Sequence, residues 1–189
     1  MNKARLEAFS DGVFAIVITL LILNIRLPET DYAHLLQALT SLLPTVTAYA
    51  MSFFVIGLYW VAHHALFRNL AKADGTILWL NIVALLFISF LPFPASLLGK
   101  YPFQTIPIVI YGLNLIATNL MGFIMVVYLH YHPELAAPHF NIKKQVSRYA
   151  FVNGFYFFAV VVSFVFPMFS YFIFIGVLAS LVIYYAKTS

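Results

Sequence analysis

Residues 5–26 read RLEAFSDGVFAIVITLLILNIR, and this stretch decides the fold class. It opens with charged and polar residues as far as Asp11 and then runs from Gly12 to Ile25 without a charged side chain. A helix needs roughly 20 mostly apolar residues to cross about 30 Å of hydrocarbon. The stretch therefore predicts a membrane-spanning helix whose polar residues lie at one end.

The composition of the whole chain extends this prediction beyond one helix. Of its 189 residues, 63% are hydrophobic and 8% are charged, and the mean hydropathy is +0.97. A soluble domain has roughly 45–50% apolar and about 25% charged residues, so a water-soluble globule is excluded. The sequence contains no cysteine, which excludes a disulfide scaffold, thiolate metal sites and a cysteine nucleophile.

Six apolar runs are long enough to span a bilayer, and polar or proline-containing segments separate them. We expect an all-α membrane protein with six transmembrane helices per chain, forming a single domain over residues 1–189. A shorter apolar-striped segment, 32–43, is expected to lie at the membrane interface. The predicted spans are 6–26, 44–67, 76–98, 104–130, 148–166 and 169–186.

The basic residues are distributed unevenly across the predicted topology. With the N-terminus inside, only Arg26 and Lys100 lie outside. Cytoplasmic loops of membrane proteins carry an excess of Lys and Arg, so both termini are predicted to be cytoplasmic. This topology explains the net charge of +4 without a nucleic-acid partner. The basic residues on the inner side are Lys3, Arg5, Arg68, Lys72, Lys143, Lys144, Arg148 and Lys187.

Two groups of residues in the first span allow more than one interpretation. Ser10 and Asp11 lie near its cytoplasmic end, where an ionisable group is costly, but the same pair is also typical of a helix cap. Ile16, Leu20 and Leu23 recur at helical spacing and form an apolar stripe beside Thr19. Taken alone, the stripe can face lipid or neighbouring helices as well as a functional surface.

The first three predicted spans also carry specific residues in a recognisable order. The first contains Arg-x-x-x-Phe-Ser-Asp at residues 5–11 and Gly-Val-Phe-Ala-Ile at residues 12–16. The second contains Tyr59, Trp60, His63, His64, Phe67 and Arg68, and the third contains Leu80, Asn81, Leu91, Pro92 and Phe93. This pattern resembles the transmembrane protein 175 family of potassium channels. The last three spans resemble that family only in hydropathy and number.

The resemblance implies a potassium channel of moderate selectivity, built as a homo-oligomer in which the first helices of four six-helix units surround the pore. It implies that Ile16 forms the narrowest hydrophobic ring, that Leu20 and Leu23 form further rings, and that Thr19 contributes to cation preference. The sequence contains no Thr-Val-Gly-Tyr-Gly run, so rings of filter carbonyls are not the expected selectivity device. The implied location is a bacterial inner membrane, with potassium as the permeant ion, membrane lipid around the oligomer and no resident cofactor.

The polar end of the first helix is then expected to hold that helix against its neighbours. Indole, imidazole and amide groups on the second and third spans can donate to and accept from its polar side chains, so a closed hydrogen-bonded network is feasible. The sequence does not decide which histidine takes part. The expected members are Arg5, Phe9, Ser10 and Asp11 with Trp60, His63, His64 and Asn81.

A secondary transporter of a cation or small solute is the alternative function. Its typical signals, broken helices and paired charges near the membrane midplane, are missing from the sequence pattern. No Ser, His and Asp occur at a depth and spacing that predict a nucleophile with its base, so no catalytic residues are assigned. His63 and His64 are adjacent and point about 100° apart on a helix, so no metal site is expected there.

Overall fold

A computed structural model of the chain describes residues 3–188, and the regular elements in that range are helices. This confirms the predicted all-α class. The α-helices are α1 (Lys3–Leu20), α2 (Leu35–Ser41), α3 (Leu43–Arg68), α4 (Gly75–Phe90), α5 (Pro92–Lys100), α6 (Thr105–Tyr131), α7 (Ile142–Val162) and α8 (Pro167–Thr188). Short 3₁₀ turns lie at Leu21–Asn24, Tyr32–His34 and Pro133–Leu135.

Five segments of the described chain combine the length and hydropathy of membrane-spanning helices. They are Lys3–Asn24, Leu43–Arg68, Gly75–Lys100, Thr105–Tyr131 and Pro167–Lys187. The helix α7 adds a further element of 21 residues, and its first two turns contain three basic side chains that make it less apolar. These six elements correspond in order to the six predicted spans.

The start of α7 differs from the prediction. The helix begins at Ile142, whereas the apolar run predicted a start near residue 148. The side chain of Asn141 accepts the backbone N–H of Lys144 at 3.0 Å and caps the helix. Such a cap satisfies an amide that the helix start leaves without a partner. Hydropathy shows where this helix becomes apolar, whereas the cap determines where it begins.

The far end of the first span is also more irregular than predicted. After Leu20 the chain tightens into the 3₁₀ turn Leu21–Asn24. The side-chain amide of Asn24 donates to the carbonyl of Pro92 at 3.2 Å. Pro92 starts α5 directly after α4, where its missing N–H interrupts the helical hydrogen bonds. The end of the first span is therefore tied to the break in the third.

The first span buries only one of its faces. Its buried residues are Leu6, Ser10, Phe14, Val17 and Leu21. They recur every three or four positions, which places them along one side of the helix. This side packs against α3 and α4, so the opposite side is left without intramolecular packing.

The helices α6 and α7 approach closely at glycines of α6. A Cβ atom added at Gly122 would come within 2.7 Å of the Tyr149 ring. Asn119 lies on the same side of α6 and donates its side-chain amide to the carbonyl of Tyr149 at 3.1 Å. Small residues allow such close contact between membrane helices. The C-terminal half of the chain is therefore joined tightly to the rest through α6.

One end of the bundle gathers the start of α1 with the ends of α3 and α6. The ammonium group of Lys3 donates to the carbonyl of Leu70 at 2.8 Å. The loop after α3 pairs with the loop after α6, because Ala71 N–H donates to the carbonyl of Leu135 at 2.8 Å. We call this the basic end, since the residues predicted to lie on the inner side belong to the segments that meet here.

Candidate functional site

The candidate site begins with the unpacked face of α1. Ile16 and Leu23 are each 60% exposed, and Leu20 is 45% exposed. Thr19 is also exposed and lies between Ile16 and Leu20 in the sequence. All four predicted pore residues therefore lie away from the packed core of their own chain.

The 3₁₀ turn changes the alignment of these residues. Residues three apart eclipse one another in a 3₁₀ helix, and the rise per residue is about 2.0 Å instead of about 1.5 Å. Leu23 lies in this turn, which begins directly after Leu20, so the two leucines are expected to lie closer to one line along the helix axis. The aliphatic stripe is therefore straighter at its far end than a continuous α-helix would make it.

The side-chain hydroxyl of Thr19 donates its proton to backbone carbonyls of its own helix. The hydroxyl lies 3.0 Å from the carbonyl of Ala15 and 2.8 Å from that of Ile16, and it donates to these backbone oxygens. A hydroxyl has one proton and two acceptor lone pairs. The proton is used within the helix, so lone pairs of the oxygen remain for a cation.

The exposed face of α1 differs in chemistry from other exposed faces of the bundle. On α7 and α8 the exposed positions are rich in phenylalanine, with Phe157 at 63% and Phe169 at 66%. The exposed positions of α1 include Gly12, Ala15 and Thr19 beside the aliphatic residues. Small and hydroxyl-bearing residues are typical of helix contacts within a membrane. The exposed positions of α7 and α8 also include small residues, such as Gly154, Ala179 and Ser180, so the faces differ mainly in their number of phenylalanines.

A directed chain of hydrogen bonds joins α3, α4 and α1. Asn81 is fully buried and donates its side-chain amide to the hydroxyl of Ser10 at 2.9 Å. Nε2 of His63 lies 2.8 Å from the amide oxygen of Asn81, which can only accept. His63 is therefore protonated on Nε2. Ser10 completes the chain by donating to the carbonyl of Leu6 at 2.8 Å.

A second hydrogen bond joins α1 to α3 near the surface. The indole N–H of Trp60 donates to a carboxylate oxygen of Asp11 at 2.8 Å. The ring of His64 stacks on Trp60, with centroids 6.0 Å apart. A hydrogen bond to a carboxylate is stronger than one between neutral groups. Asp11 and Ser10 therefore attach neighbouring positions of α1 to two different helices.

The structure brings together some of the predicted network residues and separates others. Ser10, Asn81 and His63 form one chain of hydrogen bonds, and Asp11 pairs with Trp60. Of the two histidines, His63 takes part in the chain. Arg5 and Phe9 lie on the exposed face of α1, outside these hydrogen bonds.

Packing residues around His63 were not among the predicted site residues. The His63 ring stacks on Phe67 with centroids 4.1 Å apart, and the edge of Phe14 approaches it at 5.6 Å. Phe67 belongs to the sequence pattern quoted above, so the pattern contained a signal for it. Phe14 belongs to the quoted run at residues 12–16, so the pattern contained a signal for it as well, although periodicity alone assigns it only to the buried side of α1.

An open groove lies between α1 and α3 beside these contacts. It has a volume of about 400 Å³ and is lined by Asp11, Phe14, Ala15, Ile18, Ile56, Gly57 and Trp60. Its lining is mainly apolar, with the Asp11 and Trp60 pair at one end. Within residues 3–188, no group of three or more His, Asp or Glu side chains is placed to hold a metal ion.

Comparison with known proteins gives concordant matches. Residues 5–92 match the family model described as endosomal/lysosomal potassium channel TMEM175. The crystal structure of a lysosomal potassium-selective channel TMEM175 homolog from Chamaesiphon minutus superposes with a TM-score of 0.82 and 31% identity. That match covers 98% of this chain and 97% of that chain.

Two curated bacterial potassium channels match over shorter lengths. One from Chryseobacterium sp. is 42% identical over 116 residues, which is 61% of this chain and 59% of that protein. One from Streptomyces collinus is 46% identical over 103 residues, which is 53% of this chain and 50% of that protein. The chain thus spans between half and three fifths of the length of these relatives. Both relatives are named as channels, as is the solved structure.

Proposed function

Because this chain belongs to the TMEM175 family, we propose that it is the subunit of a homotetrameric, moderately selective potassium channel whose pore is lined by α1. The observation that carries the proposal is the unpacked face of α1, where small and polar residues accompany Ile16, Leu20 and Leu23. One chain offers one such face, so several copies around an axis are required to enclose a pore.

Ile16 forms the gate in this proposal. A ring of branched aliphatic side chains expels water, and an ion that passes it loses hydration without gaining ligands. The closed channel is therefore blocked by a dewetted constriction. Leu20 and Leu23 extend this apolar section towards the far end of the span. Opening requires the ring to widen until water enters.

Thr19 supplies the polar contact next to this constriction. Its proton is donated to carbonyls of its own helix, so its lone pairs are available to a partly dehydrated cation. Four hydroxyl oxygens offer weaker coordination than the carbonyl rings of a Thr-Val-Gly-Tyr-Gly filter. Potassium is hydrated more weakly than sodium and is therefore favoured, but only moderately.

The polar network determines how α1 is held. Asp11 bonds to Trp60 of α3, and Ser10 bonds to Asn81 of α4, so the helix is fixed in both rotation and axial position. Rotation by one residue would turn the pore face by about 100°. We assign these side chains a positioning role, with Arg5 and Phe9 on the neighbouring exposed surface.

A secondary transporter fits the distribution of charges less well. Ion-coupled carriers place charged or discontinuous elements near the membrane midplane. The third span is broken at Pro92, but the segment around the break carries no charged side chain. No Asp, Glu, Lys or Arg occurs within residues 12–25, 32–67, 75–99, 101–133 or 149–186. The charges thus lie in the connections and near the ends of the apolar segments.

We also propose that residues 1–189 form one domain in a bacterial inner membrane, with both termini cytoplasmic.

Potassium flux into liposomes tests the gate. Ile16→Asn replaces the constriction with an amide that water can wet, so it is expected to raise flux above that of the unaltered chain. Ile22→Asn is the matched control, because Ile22 is also exposed, at 49%, but does not belong to the stripe. Unchanged flux in Ile16→Asn, or equal increases in both variants, would remove Ile16 from the gate.

The subunit number is tested by the mass of the purified oligomer. A tetramer has about four times the chain mass of 21.4 kDa after the detergent is subtracted. Light scattering coupled to size-exclusion chromatography measures this mass. A monomeric particle that conducts potassium would overturn the proposed pore.

A further inference from the structure

A cationic cleft opens at the basic end, where α3 ends, α7 begins and α8 ends. It has a volume of about 290 Å³. Its charged lining consists of Arg68, Lys144 and Arg148, with His64 and His139 beside them. None of the described residues that line it is a carboxylate. The cleft is therefore a concentration of positive charge, distinct from the face of α1 proposed to line the pore.

The positive charges of the cleft are not neutralised within the described chain. Over residues 3–188 the one ion pair joins Lys3 to Glu7 at 3.9 Å, on α1. Aromatic rings hold the cations instead. The guanidinium of Arg148 lies 5.1 Å from the centre of the Tyr185 ring, and Lys144 Nζ lies 5.5 Å from that of Tyr184. A ring face attracts a cation but does not remove its charge.

The cleft also contains an amide oxygen without a hydrogen-bond partner in the described part of the chain. Gln145 lines the cleft, and its buried amide oxygen has no hydrogen-bond partner among the described residues. Buried polar atoms are normally paired. The cleft thus combines unneutralised cations with an unsatisfied amide, which suits a ligand that carries an anionic group and a hydrogen-bond donor.

An apolar groove continues from the cleft along α7 and α8. It has a volume of about 180 Å³ and shares Arg148 and Tyr184 with the cleft. Beyond these two residues its lining includes Phe151, Phe155 and Leu181. Phe151 and Phe155 are exposed on the surface of α7. A ligand that fills both spaces has a charged head and an apolar tail.

We propose that the cleft and the groove together bind one anionic phospholipid. The lipid phosphate contacts Arg68, Lys144 and Arg148, and one acyl chain lies in the groove between α7 and α8. Basic pockets between transmembrane helices are suited to anionic head groups, and charge-assisted contacts to phosphate are strong. A hydroxyl of a glycerol head group supplies the hydrogen-bond donor that the amide oxygen of Gln145 lacks. The site does not depend on ion conduction, so its test and that of the channel are separate.

Native mass spectrometry of the delipidated protein tests the charged part of the site. The probes are phosphatidylglycerol and phosphatidylcholine with identical acyl chains. We expect phosphatidylglycerol to bind preferentially and Lys144→Gln to weaken its binding about tenfold, as for the loss of one charge-assisted contact. Lys143→Gln removes the same charge from the neighbouring exposed position, which does not line the cleft. Equal losses in the two variants would show diffuse attraction and overturn the site.

Two matched variants of α8 test the apolar part of the site. Ser180 lines the groove and Ala179 does not, although both are exposed on α8. Ser180→Trp fills the groove and is expected to weaken binding of long-chain phosphatidylglycerol, while Ala179→Trp leaves it unchanged. Dihexanoyl phosphatidylglycerol, whose chains are short, should be affected less than the long-chain lipid.

Inorganic phosphate distinguishes a lipid site from a site for a free anion. We expect millimolar phosphate to displace long-chain phosphatidylglycerol poorly. Phosphate that competes as well as the short-chain lipid, with no effect of Ser180→Trp, would mean a free-anion site and overturn the proposal. Each variant is first checked for an unchanged elution volume and melting temperature. Arg68→Gln, at an exposed position of the cleft, repeats the charge test if Lys144→Gln does not fold.

Discussion

Replacing Asn81 by leucine is expected to weaken the attachment of α1 more than any change on its exposed face. Asn81 is fully buried and joins three helices, because it accepts from His63 and donates to Ser10. Leucine has a similar size but neither donor nor acceptor. The variant therefore removes two hydrogen bonds while leaving the apolar packing of α4 largely filled.

The size of the effect follows from these two bonds. Each contributes about 0.5–1.5 kcal/mol, and bonds between membrane helices average about 0.6 kcal/mol. The buried N–H of His63 loses its acceptor, which costs about 1–3 kcal/mol more. We expect a total of about 2–4 kcal/mol, equivalent to a fall of roughly 4–16 °C in Tm for a chain of this size.

Thermal unfolding in detergent, followed by loss of the oligomer peak on size-exclusion chromatography, measures this change. Ser89→Ala is the matched control, because Ser89 lies on the same helix, is exposed, and bonds only to the carbonyl of Leu86. It should shift Tm by less than about 2 °C, as expected of a surface change within about 0.5 kcal/mol. An equally small shift for Asn81→Leu would refute the assignment of a stabilising network.

A double-mutant cycle separates the network from simple packing. With His63→Phe the orphaned N–H disappears, so the double variant should be less destabilised than the sum of the two single variants. The expected coupling is about 1 kcal/mol or more, within the range measured for residues in one network. Additive effects would show that Asn81 and His63 act independently.

Three further predictions concern the rest of the molecule. Asp74 caps α4. Burial raises the pKa of its carboxyl group, but hydrogen bonds from Ile77 N–H and the Tyr128 hydroxyl outweigh this effect and hold the pKa below the usual value for aspartate. The stability that the ionised carboxylate of Asp74 contributes is present above the unfolded pKa and is lost as the pH falls through the lower folded pKa. Asp74→Ala should therefore cost about 1 kcal/mol at pH 7 and less below about pH 4, as measured by Tm. Gly122→Ala should destabilise the chain by about 1–3 kcal/mol through the clash with α7, whereas Gly154→Ala, whose Cβ meets no atom within 4 Å, should not lower Tm. In this cysteine-free chain, Leu23→Cys should form disulfide-linked dimers on mild oxidation if the exposed side of α1 faces the axis, while Phe157→Cys on α7 should not.

Hydropathy was sufficient to predict the six long helical segments but not their ends. The apolar runs predicted six elements in the observed order, because a bilayer requires about 20 apolar residues for each crossing. The start of α7 was missed, since its first turns contain Lys143, Lys144 and Arg148 and its cap is Asn141. The 3₁₀ turn after Leu20 was missed as well, because hydropathy carries no information on the tightness of a helix.

The hydrogen-bonded residues of the candidate site were predictable only in part, since the predicted set also contained Arg5 and Phe9, which lie outside the bonds. The order of residues in the first three spans indicated Ser10, Asp11, Trp60 and Asn81 among the members of one network, and the structure places them in two separate groups of hydrogen bonds. Choosing His63 over His64 requires the rotation of α3 relative to α4, which no local pattern provides. The aromatic contacts on His63 depend on the same rotation. Tertiary packing determines both.

The exposed side of α1 combines an aliphatic stripe with small residues beside it. An aliphatic stripe can face lipid or form a dewetted constriction equally well, because each of these surroundings requires only that the side chains exclude water. The residues beside the stripe differ between the two cases. The exposed positions of α7 and α8 carry several phenylalanines, whereas those of α1 carry one, Phe9, near the start of the helix and small residues at Gly12 and Ala15. Small residues allow helices that converge on an axis to come close together. The hydrogen bonds of Ser10 and Asp11 turn this side away from the core, so the case for a pore rests on composition and orientation together.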